Sequence, residues 1–209
     1  LSEMSQWRDL RLQDPRLLED VSERLMQLAG EQEFAFLYAL AHCGKGWALC
    51  LRGDLEEGTE MIQTGLDLYA ATGARLMRGY WATYLIEAHL AAGRIAEGLA
   101  VVREALALSE TQLDVTFDPE LLRLEGELLY ASGEAQAAEA VFRKALEITR
   151  EQKARAFELR TAISLGRLLA VQGRAEEALP LLSAVEQTLY KGLENRDLME
   201  ARELLRQLS

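Results

Sequence analysis

Proline is scarce, with 3 in 209 residues, so little in the chain forces helices to break. Histidine and cysteine number 2 each, which leaves no Ser-His-Asp or Cys-His set for nucleophilic catalysis. The two cysteines are Cys43 and Cys50. On one helix they stand about 10 Å apart. A disulfide needs Cα atoms within roughly 7 Å, so reduced thiols in a cytoplasmic protein are the reading. His42 lies beside Cys43 in sequence but points about 100° away on a helix, and no fourth ligand is near, so no metal site is expected. No run of 18 apolar residues exists, so no membrane span is expected. No basic-then-apolar leader opens the chain. Positive charge is in deficit: 23 Lys and Arg against 34 Asp and Glu, a net −11. Phosphate backbones demand a basic surface, so nucleic acid is disfavoured.

What the chain does have is Ala, Leu, Glu and Arg, with 49% hydrophobic residues, which suits helices throughout. It also repeats. GDLEEGTEMIQTGL, GRIAEGLAVVREAL, GEAQAAEAVFRKAL and GRAEEALPLLSAVE open at Gly53, Gly93, Gly133 and Gly173, each 40 residues from the next. A fixed period in that range is the mark of a stacked repeat protein. No segment alternates with period two, so no strand is expected.

The register resembles the tetratricopeptide repeat. That motif has a small residue eight places into its first helix, Gly between helices, then Ala, an aromatic or aliphatic residue, and Ala. The third unit matches with Gly126, Gly133, Ala138, Phe142 and Ala145. The fourth has Gly166, Gly173, Ala178 and Leu182, but Val185 where Ala is usual. The first has Gly46, Gly53, Gly58, Ile62 and Gly65; the second has Ile86, Gly93, Gly98, Val102 and Ala105. The resemblance implies an all-α, right-handed superhelix of stacked antiparallel helix pairs. A narrower resemblance rests on ALCLRGDLEEG, DLYAATGAR, RLEGELL, FRKALEI and ELRTAISLGRL. In that order they look like the C-terminal repeat region of large bacterial signalling proteins. Those proteins join a nucleotide-cyclase-like or DNA-binding output domain to a STAND-type ATPase.

The expected organisation is one continuous domain. Residues 1–30 form a partial repeat, 31–192 hold four repeats (about 33–72, 74–110, 118–151 and 153–191), and 195–208 form a capping helix. In the first segment Trp7 and Leu10 could pack on a helix. Leu17, Leu18, Val21, Leu25 and Leu28 then form an apolar stripe ending at Gly30. Ala74 to Ala92 is expected as one helix, and Thr111 to Phe117 as the longest loop. Asp197 and Glu200 are placed as a capping box. The chain begins at Leu1 without Met, which suggests an excised fragment.

Chemistry is thin. Gly44-Lys45-Gly46 lacks the remaining glycine and hydroxyl of a phosphate loop and sits mid-helix. Adjacent pairs such as Glu56-Glu57 diverge on a helix. No catalytic residue, cofactor or metal is expected. The resemblance instead implies a groove lined by positions two, five, nine and twelve of each first helix. These are Leu40, Cys43, Trp47 and Cys50, then Tyr80, Thr83, Glu87 and Leu90. Glu120, Arg123, Glu127 and Tyr130 follow, then Arg160, Ile163, Arg167 and Ala170. The binding candidates are Trp47, Tyr80, Thr83, Glu87, Arg123, Glu127, Tyr130, Arg160 and Arg167. One reading is a groove for a protein or peptide, apolar at the Trp47 end and acidic at the arginine end. The other is that Trp47 and Tyr80 are partly core and the Arg and Glu residues pair with one another. The resemblance implies a regulatory interaction module of a cytoplasmic signalling ATPase, whose own ATPase or output domain is a candidate partner. A small-molecule effector sensor and an oligomerisation module are the alternatives.

Overall fold

The computed structural model of the protein describes residues 14–188 and 196–208. Ten α-helices and one short 3-10 turn make up its regular structure, with no strand among the described residues. The helices are α1 Pro15–Glu31, α2 Ala35–Arg52, α3 Leu55–Ala71, α4 Arg78–Ala91 and α5 Ile95–Gln112. The 3-10 turn Val115–Phe117 leads into α6 Asp118–Ala131, followed by α7 Ala135–Gln152, α8 Arg155–Val171, α9 Ala175–Thr188 and α10 Arg196–Leu208. Contacts gather the chain into two compact units, one ending at Leu124 and one taking up at Glu125. The expected helix around Trp7 and Leu10, and the end of the fourth repeat beyond 188, lie outside the described residues.

Pairs form because the turns inside them repeat. Gly53, Gly93, Gly133 and Gly173 all take positive φ, at 98°, 69°, 90° and 74°. Each closes its helix with the same two bonds. The Gly53 N–H donates to Cys50 O and the Asp54 N–H to Leu49 O, and the other three turns copy this. That is the left-handed helix stop for which glycine is the default residue.

In the N-terminal unit, α2 packs on α1 and α3, and α4 on α3 and α5. The α2–α3 contact is close because both helices spend glycines on it. A Cβ on Gly46 would stand 2.7 Å from Gly58 O and 2.7 Å from Ile62 N; one on Gly65 would stand 2.5 Å from Cys43 Sγ. Cys43, Cys50, Ile62, Leu66, Tyr84, Leu85 and Ala88 form the core there. In the C-terminal unit Phe142, Leu146, Leu159, Leu165, Leu182 and Leu204 anchor the core. Gly126 of α6 leaves room for the Phe142 ring. α9 runs through Pro180. Arg94 and Arg174 stand just before α5 and α9. Arg94 donates to Thr59 Oγ1 of α3 at 2.6 Å, and Arg174 to Glu139 Oε2 of α7 at 2.7 Å. Each ties a second helix to the second helix before it.

Several expectations are corrected. Helix α4 begins at Arg78, not Ala74. Met77 sits in the left-handed region at φ 65°, with its N–H bonded to Asp114 Oδ2 at 3.1 Å, while the Tyr69 hydroxyl donates to Leu76 O. The supposed loop 111–117 shrinks to Leu113 and Asp114, because α5 continues to Gln112 and 115–117 is the 3-10 turn. The α1 stripe is only half used: Leu18 and Leu25 are half-buried, while Leu17, Val21 and Leu28 are more than half exposed. Asp54 precedes α3 but makes no side-chain cap bond. Asp197 and Glu200 are not a capping box. Helix α10 starts at Arg196, and their carboxylates pair with Arg160 and Arg167. Leu198, Ala201 and Leu204 of α10 are buried, and Leu205 and Leu208 pack on the same core. Arg202, Glu203 and Arg206 are exposed.

Candidate binding surface

The N-terminal unit carries an aromatic cluster. Trp47 of α2 lies against Tyr84 of α4, with ring centroids 4.8 Å apart. Tyr80 meets Trp81, Tyr84 and Phe117 at 5.0, 5.1 and 5.4 Å. The Tyr80 and Tyr84 hydroxyls share a 2.5 Å hydrogen bond. Tyr84 and Phe117 are buried, while Trp47, Tyr80 and Trp81 are half-buried. Edge-to-face and tilted stacking of this kind is the preferred geometry for rings. It fixes Trp47 and Tyr80 with part of each ring in water. A Cβ on Gly79 would already touch Phe117, so the 3-10 turn presses on the start of α4.

The polar candidates behave differently. Thr83 is 1% exposed and donates to Tyr80 O. Arg123 is 7% exposed and donates in a fork to Glu120, from Nε at 3.1 Å and from Nη2 at 2.8 Å. Its Nη2 also stands 3.7 Å from Glu87 of α4. Thr83 and Arg123 are therefore not open groove positions, because each lies between packed helices. A buried guanidinium needs a carboxylate partner, and two are supplied. In the C-terminal unit Glu127 accepts from Ser164 Oγ at 2.5 Å, and Tyr130 is exposed. Arg160 stands 3.7 Å from Asp197, and Arg167 pairs with Glu200. All three arginines thus face carboxylates of the chain itself. Of the two sequence readings, mutual pairing describes the charges, and partial burial describes the aromatics.

Sequence reasoning missed Trp81, Tyr84 and Phe117. Tyr80 and Tyr84 are four residues apart and share a helix face, a signal that was available. Phe117 was hidden in the presumed loop.

Burial pushes the Cys43 thiol up to about 12 and the Cys50 thiol up to about 11, the latter pulled back slightly by Arg94. Burial lowers the His89 pKa, and nearby Arg94 adds to that. His42 Nδ1 donates to Tyr38 O at 2.9 Å. Among the described residues no three His, Cys, Asp or Glu side chains are arranged to hold a metal ion. No described helix is long and apolar enough to cross a membrane.

The tetratricopeptide-repeat family model matches residues 81–104 and 159–184. Both stretches look like tetratricopeptide repeats. The first spans the turn at Gly93 and the second the turn at Gly173. Solved structures agree on the fold. The nearly identical TPR-like repeats of a candidate kinesin light chain from Podosopora anserina superpose with TM-score 0.55 at 17% identity, covering 84% of this chain and 96% of that one. A single-substitution variant of the same repeats gives TM-score 0.62 at 16% identity, covering 89% and 91%. No curated protein matches the chain. The protein is all-α, with tetratricopeptide-like helix pairs.

Proposed function

We propose that the chain is a protein-binding scaffold, docking a partner on the first-helix surface around Trp47 and Tyr80. The resemblance in the repeat segments further supports a role as the regulatory repeat region of a larger cytoplasmic signalling protein, with its ATPase or output domain among the partners. The observation that carries the docking site is the pair of half-buried rings, held rigid by Trp81, Tyr84 and Phe117. Aromatic anchors of fixed geometry are the side chains on which binding energy concentrates.

The partner's charge follows from the pairing. Arg123, Arg160 and Arg167 already face carboxylates of the chain, so they add no free positive field. The chain as a whole carries −11. An apolar segment flanked by Lys or Arg is therefore favoured over an acidic one, with its cations able to approach the ring faces.

Calorimetric titration against matched peptides tests this, one series apolar and basic, the other apolar and acidic. The basic series should bind more tightly and weaken with salt. Trp47→Ala with Tyr80→Ala should cost about 2 kcal/mol of binding. Arg160→Glu with Arg167→Glu should change little. Preference for the acidic series, or full affinity after the aromatic double substitution, would sink the proposal.

A further inference from the structure

The turn between α4 and α5 is built from the same parts as the turn between α8 and α9, with two exchanges. Eighty residues separate the two sets. His89 answers to Leu169, Arg94 to Arg174 and Glu97 to Glu177, while Thr59 of α3 answers to Glu139 of α7. In the C-terminal unit Leu169 belongs to the buried core, and Arg174 is held by Glu139 and Glu177. Leu49 and Leu129 fill the same place in the other first helices. In the N-terminal unit a half-buried imidazole takes the leucine's position. Among the described residues Arg94 is held by neutral oxygens, Thr59 Oγ1 at 2.6 Å and Leu55 O at 3.4 Å. Its Nε is buried without a partner.

Protonation of His89 is therefore a structural event. A neutral imidazole can leave Nδ1 bare, whereas a charged one carries N–H on both nitrogens. Nδ1 of His89 is buried and has no hydrogen-bond partner. The added proton would be a buried donor without an acceptor. Two charged groups act on the ring, both from the start of α5: Arg94 opposes the cation and Glu97 favours it. Among the described residues none from α2, α3 or the 3-10 turn does so. The C-terminal end of α4 also favours a cation. Burial and Arg94 prevail, so the ring resists its proton.

We infer that the joint of α3, α4 and α5 is an acid-sensitive latch: in weak acid His89 leaves its place, Arg94 lets go of Thr59, and this helix pair loosens. The corresponding joint of α7, α8 and α9 has no imidazole. Its arginine also keeps its partners charged, because Arg174 holds the Glu139 and Glu177 carboxyls below the usual range. The unfolded chain takes up the His89 proton near the ordinary value of 6.5 and the folded chain only at lower pH. The stability that neutral His89 gives is thus complete above that value and is lost as pH falls through it. The latch is independent of what the Trp47–Tyr80 surface binds.

Imidazole NMR of the full chain tests it. The chain has two histidines, and the signal that His89→Leu removes is that of His89. It should titrate below 6.5. From pH 7.5 to 5.5 the wild-type unfolding equilibrium should shift toward the unfolded chain by up to about tenfold more than that of His89→Leu. His89→Gln, neutral at every pH, serves if leucine does not fit. Local opening is read at Cys50, whose thiol lies near Arg94. A pyridyl disulfide labels thiols in weak acid, and peptide mapping separates Cys50 from Cys43. Relative to a free thiol, Cys50 should label several-fold faster at pH 5.5 than at 7.5. Thr59→Glu with His89→Leu copies the C-terminal joint and should abolish that acceleration. A His89 signal at or above 6.5 overturns the latch, as does equal pH dependence with and without the imidazole. Cys50 labelling that acid leaves unchanged, or accelerates equally in the copied joint, overturns it too.

Discussion

Gly46 and Gly166 occupy the same place in their repeats, eight positions into the first helix, yet they meet different neighbours. A Cβ on Gly46 would press on backbone, at Gly58 O and Ile62 N. On Gly166 it would meet only side-chain ends, Leu182 Cδ1 at 3.1 Å and Leu204 Cδ2 at 3.3 Å. Backbone cannot rotate aside, whereas a leucine tip can. Gly46→Ala should therefore destabilise the protein by about 1–3 kcal/mol. Gly166→Ala should be close to neutral, since about 1 kcal/mol of helix propensity offsets the squeeze. Urea titration of both variants checks the ranking; equal losses would mean that backbone contact is not what requires Gly46. The sulfurs of Cys43 and Cys50 sit in this same contact, against Gly65 and Gly58. Their raised pKa values make the native thiols poor nucleophiles at neutral pH. A thiol-exchange reagent should react only as fast as the protein opens. The unfolded chain releases these protons near the ordinary thiol value of 9.0 and the folded one only near 11 and 12. The folded state therefore holds more protons in that window, and stability should fall as pH rises above about 9. Fast labelling of the native protein at pH 7 would show that these thiols are not buried.

Helices end here in two alternating ways. Within pairs the left-handed residue is always Gly, at 53, 93, 133 and 173. Between pairs it falls at 33, 73, 113 and 153, again 40 apart, but only Gly73 is a glycine. Glu33, Leu113 and Lys153 take φ of 56°, 58° and 55°. The first series announces itself in sequence because glycine is the residue that such turns select. The second does not, because Glu, Leu and Lys carry no turn signal. That is why the joint at 113 reads as a long loop; the start of α4 is placed too early because Met77, left-handed at φ 65° just before it, carries no signal either. Left-handed φ costs a branched or long residue roughly 1–2 kcal/mol. Leu113 is 87% exposed and loses little packing if removed. Leu113→Gly should thus raise stability by about 0.5–1 kcal/mol after the added entropy of the unfolded chain is counted. A lower melting temperature in that variant would show that Leu113 is not strained.

At the scale of the molecule, the period and the helical class can be read directly, because both rest on local spacing. Surface chemistry is harder to read. Arg123, Arg160 and Arg167 stand out as cations in sequence, and nothing local reveals that Glu87, Asp197 and Glu200 arrive from other helices to meet them. The aromatic cluster is legible at Tyr80 and Trp47 and illegible at Phe117, whose approach depends on the 3-10 turn. The exposure of Leu17, Val21 and Leu28 is hidden for the same reason: a stripe shows that a helix is amphipathic, not how much of the stripe finds a neighbour. The matching turns have a consequence for how such a gene changes. A segment cut from one Gly turn to the next begins and ends on the same backbone conformation and the same pair of hydrogen bonds. Unequal crossing-over between two such points leaves both junctions intact. Duplications and losses at these points should be tolerated in whole steps of 40 residues, while a break of another size leaves the helices on its two sides without a matching joint.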